Sequence, residues 1–173
     1  VSEHICLVSA GVSAQDPRRY AAALAGMIIG DDTGSRYFWE LVDTAIAETA
    51  SMQFEAMDGV GAFYSYLRCR PENVGKVDSI IDKILTSVKD GVKADELEKA
   101  KNKVLSSLTI KNELPMGRLT EVGFNWQYLK QYRTIQQEID SIKSVTVEQV
   151  NELLREYEPS RYSRVALGPA TQK

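Results

Sequence analysis

The chain is short of the residues on which metal-dependent and nucleophilic hydrolysis rest. It has one histidine and two cysteines in 173 residues. A lone His4 cannot supply two zinc ligands, and no CxxC pair exists, so no metal site is recognisable. A GxSxG nucleophile elbow and a GxGxxG dinucleotide fingerprint are absent as well. Positive charge is not in excess. The formal net charge is −3, which argues against a nucleic-acid partner, since binding phosphate backbones needs a basic surface. No apolar run approaches the roughly 18 residues of a membrane span. The opening VSEHICLVSAG lacks a basic region ahead of a long apolar stretch, so it does not read as a signal peptide. Internal repeats, low-complexity tracts and linkers are missing too, and one domain over residues 1–173 is expected.

What is present describes an ordinary globular core. Hydrophobic residues make up 43% and charged residues 26%. Cys6 and Cys69 sit far apart inside apolar, strand-like runs. They read as two buried thiols in a reducing compartment, hence a cytoplasmic chain, with a disulfide as the alternative.

The apolar pattern changes period along the chain. Ile5–Ser13 reads as a core strand, and Asp16-Pro17 announces a helix, with proline tolerated in its first turn. Tyr20–Ile29 is almost wholly apolar, which predicts a helix buried on most sides and stopped by Gly30. A second helix is predicted from Ser35 to Ala47, with Tyr37, Phe38, Leu41, Val42 and Ala45 on one stripe. The period then drops to two. Ala50, Met52, Phe54 and Ala56 alternate with Thr49, Ser51, Gln53 and Glu55. After Asp58-Gly59, Phe63, Ser65, Leu67 and Cys69 alternate with Tyr64, Tyr66, Arg68 and Arg70, which makes a β-hairpin.

From Pro71 the pattern is helical. Val74, Val77, Ile81, Ile84, Leu85 and Val88 form one face, closed by Asp90-Gly91. Asp95–Lys111 makes the next helix, with Leu97, Ala100, Val104 and Leu108 inward. Pro115 opens another that carries Met116, Leu119, Val122, Gly123, Trp126 and Leu129. Thr134 with Gln137 and Thr146 with Gln149 are capping boxes heading two short helices. Ser163–Leu167 is a closing strand ended by Gly168-Pro169. The order β-α-α-β-β, several helices, β predicts an α+β fold: a mainly antiparallel sheet with helices packed on one face.

Gly30–Asp43, GDDTGSRYFWELVD, invites a phosphate-loop reading. It has neither the spacing nor the lysine, and its two aspartates would repel a phosphate. Ser35 or Thr33 as helix cap, with Asp31 and Asp32 near the positive helix end, explains it better. Glu3-His4 has the form of the tail of HxxEH, but a strand follows where the motif needs a helix. The basic residues Arg18, Arg19, Arg68, Arg70, Lys99, Lys101 and Lys103 are interspersed with acids and read as solvated faces. Asp95, Glu96 and Glu98 are accounted for by the dipole of the helix they open. Tyr64, Tyr66 and Arg68 share the more polar side of their strand and could face a partner or a cavity. No catalytic and no metal-binding residue is assigned, and substrate-binding residues stay unknown.

GDDTGSRYFWELVD resembles the "G…SRLFxELRE" segment of the insulinase and pitrilysin family of zinc peptidases, which includes the mitochondrial processing peptidases. The likeness runs through nearly the whole chain: a strand and a small-residue helix before that segment, a hairpin after it, then NVGKVDSIIDKILTSVKDG, DELEKAKNKV, IDSIKSVTVEQVNELL and RVALGP. In that family two homologous α+β halves face each other, and only the first carries zinc on HxxEH. The resemblance implies that this chain is a second, non-catalytic half. Its partners would be a zinc-bearing catalytic domain, on the same or another chain, and a peptide substrate; a homo-oligomer is compatible. Zinc belongs to the companion, with no cofactor in this chain, and no hydrolysis is expected of this chain alone. The family's second halves often place an arginine at the end of the SRLF helix and a tyrosine seven residues on, to hold the substrate carbonyl. The matching positions are Val42 and Thr49, and neither can do this. Their loss favours an alternative, an assembly scaffold that kept the fold and lost the peptidase role. A third reading is an unrelated enzyme with a small-molecule cleft at Tyr64, Tyr66 and Arg68.

Overall fold

The computed structural model describes residues 1–169. Four strands form one sheet: β1 Glu3–Gly11, β2 Thr49–Ala56, β3 Gly61–Cys69 and β4 Ser163–Leu167. Their spatial order is β2-β3-β1-β4, and every pairing is antiparallel. The helices are α1 Arg19–Gly30, α2 Val74–Ser87, α3 Ala94–Glu113, α4 Pro115–Leu129, α5 Ile135–Ser144 and α6 Val147–Glu156. The α+β architecture with helices on one sheet face is as the sequence pattern indicates. The domain expected over 1–173 includes residues 170–173, which lie outside the described residues.

The hairpin follows from period-two alternation. Ala50 and Met52 on β2, with Phe63, Ser65, Leu67 and Cys69 on β3, are buried toward the helices, while Gln53, Glu55, Tyr66 and Arg68 are exposed. Register is fixed by that burial, since a one-residue slip would turn every apolar side chain to water. On the helix side, Val77, Ile81, Ile84 and Leu85 of α2, Leu97 and Ala100 of α3 and Val150, Leu153 and Leu154 of α6 complete the core with α1. Both capping boxes form: Thr134 Oγ1 accepts from the Gln137 N–H (3.2 Å), and Thr146 Oγ1 from the Gln149 N–H (3.3 Å).

Two local expectations need correction. Asp16-Pro17 lies in the turn ahead of α1 rather than in its first turn. The predicted helix Ser35–Ala47 is much shorter. It closes in one wide π turn, Phe38–Val42, where the Asp43 N–H reaches the Phe38 carbonyl at 2.8 Å. The Ile46 N–H then returns to the Leu41 carbonyl and the Ala45 N–H to the Val42 carbonyl, each at 3.0 Å, a Schellman stop. Ala45 takes the left-handed position at φ 56° and is exposed, off the buried stripe where it was expected. The stripe of α4, to which the sequence assigned no side, turns outward. No residue of it is buried, and Met116 (70% exposed), Leu119 (64%) and Trp126 (59%) point to solvent.

Candidate functional site

β2 ends the sheet, so its outer backbone edge is free of a strand partner among the described residues. Ser51, Met52, Gln53, Phe54 and Glu55 in succession line one groove of about 700 Å³ beside it. Successive strand side chains point to opposite faces, so five in a row can share a groove only if it faces the strand's backbone edge. Val104, Ser107, Leu108 and Lys111 of α3 form the facing wall, at the i, i+3, i+4, i+7 spacing of one helix face. Ala23, Met27 and Gly30 of α1 also line it. α1 approaches closely because Gly30 has no side chain; a Cβ there would lie 2.8 Å from Met52 Cα. Asp31 and Asp32 mark one end, Glu55 and Lys111 the other.

The segment Gly30–Asp43 fixes the first end. Ser35 Oγ accepts from the Phe38 N–H at 3.1 Å and donates to the Asp31 carbonyl at 2.6 Å, so the serine is the cap. Gly34 has φ 76°, open to glycine at little cost. Two cations tie this loop to α3 and its approach. Arg36 donates to both Glu96 oxygens (2.9 and 3.0 Å) and to the Gly91 carbonyl (3.0 Å), and Lys103 bonds Asp31 and Thr33. Burial alone would raise the Glu96 pKa, but the Arg36 guanidinium and the Lys93 N–H (2.8 Å) hold it below its ordinary value. Sequence reasoning gave Glu96 to the helix dipole and Lys103 to solvent. It missed these ties because they join positions about 60 and 70 residues apart.

The opposite sheet face carries the polar row. Gln53, Tyr64 and Val8 lie side by side, as do Ser51, Tyr66, Cys6 and Val165, and Thr49, Arg68, His4 and Leu167. Among the described residues no helix covers this face, and Tyr66, Val165 and Leu167 are exposed. His4 Nδ1 is hydrogen-bonded to the Tyr66 hydroxyl at 2.7 Å, and Arg68 pairs with Glu48 at 2.8 Å. Tyr64, Tyr66 and Arg68 thus stand on an open surface rather than around a cleft. Thr49 is exposed at the start of β2, and half-buried Val42 ends the π turn. Cys6 lies on the open face and Cys69 on the helix side; both thiols are free, and burial pushes the Cys69 pKa up.

The residues do not fit a hydrolytic zinc. Glu3 and His4 are neighbours on a strand, so their side chains leave opposite faces, whereas HxxEH needs one helical face. Among the described residues no group of three His, Cys, Asp or Glu side chains is placed to hold a metal.

An antiparallel sheet covered on one side, with a free edge facing a helix, defines an α+β domain, and no cluster among its described residues is placed to hold a metal. The family model described as peptidase M16 inactive domain matches residues 2–104, and the chain belongs to that family. It is 28% identical over 157 residues to an uncharacterized zinc protease of Mycobacterium bovis, covering 90% of this chain and 36% of that protein. With the uncharacterized zinc protease YmxG of Bacillus subtilis it is 23% identical over 169 residues, 96% of this chain and 41% of that one. The chain therefore spans about two fifths of the length of these relatives. In fold it is similar to a peptidase M16 inactive domain from Pseudomonas fluorescens (TM-score 0.84, 22% identity, 98% of this chain and 42% of that one). It also matches an inactive peptidase domain from Bordetella parapertussis, with TM-score 0.85 at 17% identity over 98% of this chain and 94% of that one.

Proposed function

We propose that this chain is the non-catalytic wall of a zinc peptidase. It holds an extended peptide along the free edge of β2, while a companion domain, on the same or another chain, supplies the metal and its activated water. The observation that carries this is the run Ser51–Glu55 lining a single groove against α3. A strand added there takes its affinity from main-chain hydrogen bonds and its selectivity from alternate side chains. Zinc chemistry needs only one wall to bear ligands; the other excludes water and raises the effective concentration of the bound chain. The companion packs on the uncovered sheet face around Tyr66, Val165 and Leu167, where apolar and aromatic side chains stand exposed.

Fluorescence anisotropy with labelled, unstructured peptides tests the edge. Methylating alternate backbone nitrogens of the peptide on the side facing β2 should weaken binding by about tenfold or more. Equal binding of the methylated peptide removes the strand-addition reading. Chelator-sensitive cleavage by this chain supplied with zinc would remove the non-catalytic assignment.

A second reading, an assembly scaffold, is favoured by Val42 and Thr49, which offer a substrate carbonyl no arginine or tyrosine, and by the exposed stripe of α4. A parent gene without an HxxEH-encoding module, and no such module in neighbouring genes, would support the scaffold.

A further inference from the structure

We propose that a pocket of arginines beyond the Glu55 end of the groove receives a carboxylate, the acidic end of the extended peptide. This rests on the groove reading and names its substrate class: peptides with an apolar residue just before a terminal acid group.

Three hollows share border residues. Glu55 lines both the β2 groove and a second hollow of about 390 Å³ that also holds Met57, Phe124 and Tyr128. Arg19 lines that second hollow and a third of about 350 Å³. The shared residues place the three hollows next to one another along α1, from Gly30 back to Arg19. Phe124 and Tyr128 are stacked, with ring centroids 5.9 Å apart, and offer an apolar seat for one side chain.

The third hollow is lined by Arg18, Arg19 and Arg133, with Ser141, Ser144 and Gln149 nearby and no carboxylate. Arg18 is satisfied by Asp16 (2.8 Å) and Glu156 (2.5 Å). Arg133 Nε is bound to Glu138 at 2.5 Å and its Nη2 to Ser141 Oγ at 2.8 Å. Arg19 differs. It donates to the Tyr20 hydroxyl at 2.7 Å and lies 4.4 Å from that ring's centroid, but pairs with no carboxylate among the described residues. The hydroxyl it meets donates onward to Glu138 at 2.7 Å, so acids lie near Arg19 while the rest of its donor fork is left without a direct acceptor among the described residues. The backbone adds to it. α1 has no side-chain cap and no acid in its first turn; Tyr20 and Ala21 of that turn line the hollow, and their backbone N–H groups have no partner among the described residues. A planar carboxylate matches the guanidinium fork. Glu55 at the border repels an acid that stops in the second hollow, which favours an apolar group there and the acid beyond it.

The test uses the ¹⁵N-labelled chain and N-acetylphenylalanine, too short to reach the β2 edge, against N-acetylphenylalanine amide. The carboxylate should shift the Tyr20 and Ala21 amide resonances saturably, the amide should not, and Arg19→Gln should weaken the effect by about tenfold. Arg19→Lys, which keeps the charge without the fork, should fall between. With longer peptides, C-terminal amidation should cost a similar factor; an amidated peptide ending in glutamate separates a side-chain acid from the terminal one. Peptides that bind along β2 equally well with or without amidation, and with or without Arg19, overturn the carboxylate site and leave the groove standing. A short probe that saturates while long peptides fail to bind sustains the arginine site and removes the groove. Inorganic phosphate that competes fully, with amidated and free peptides alike, marks a general anion site and overturns the peptide-end assignment.

Discussion

Ala45 occupies a left-handed position, with φ 56°, where glycine would be at ease. An L-residue there costs roughly 1–2 kcal/mol of local strain. The side chain is exposed, so Ala45→Gly loses no packing. The substitution should raise stability by about 1 kcal/mol, read as a higher urea midpoint with an unchanged slope. Glu96 yields a prediction in pH. Its folded pKa is depressed below the ordinary 4.5 despite burial, because Arg36 and the Lys93 N–H favour the charged form. Such a group stabilises the fold above its unfolded pKa and loses that contribution as pH falls through the folded value. The melting temperature should therefore drop between roughly pH 5 and pH 3, and Arg36→Gln should lower it at neutral pH while making that drop smaller. Asp16, lowered chiefly by its hydrogen bond to Arg18, keeps a share of the acid sensitivity in the variant. Ser35 as cap was legible because capping depends on residues within one turn. The stop at Ala45 was not, since the chain there carries none of the glycine that normally signals it.

The helices separate what periodicity can tell from what it cannot. The stripes of α2 and α6 were read correctly as core, and both capping boxes formed where their residues stand. In α4 the same kind of stripe faces water, because spacing reveals that apolar residues share a side but not whether anything packs against it. Leu119→Gln should accordingly change the unfolding free energy of the isolated chain by no more than about 0.5 kcal/mol. Leu153→Ala on α6, where the side chain is fully buried, should cost about 2–5 kcal/mol. Chemical denaturation of the two variants side by side checks both. A large loss at Leu119 would mean that α4 holds the fold together rather than offering a surface.

Architecture came through in the order of elements: two strands joined by a tight hairpin, helices in a group, a closing strand. The antiparallel sheet with one covered face follows from that order. The groove could not be foreseen, since it exists only where α3 settles alongside the free edge of β2. Filling it tests its role directly. Ser107→Trp places a bulky ring on an exposed position of the α3 wall, and should weaken peptide binding about tenfold with the melting temperature unchanged. Equal binding would place the peptide elsewhere. β1 pairs on one side with β3 and on the other with β4, so His4 near the start lies opposite Leu167 near the end. A ribosome making this stretch releases the first of these two neighbours long before the second. The nascent sheet must wait with one flank of its oldest strand open. A chaperone that shields strand edges has its longest opportunity during that interval, and the emergence of β4 closes it.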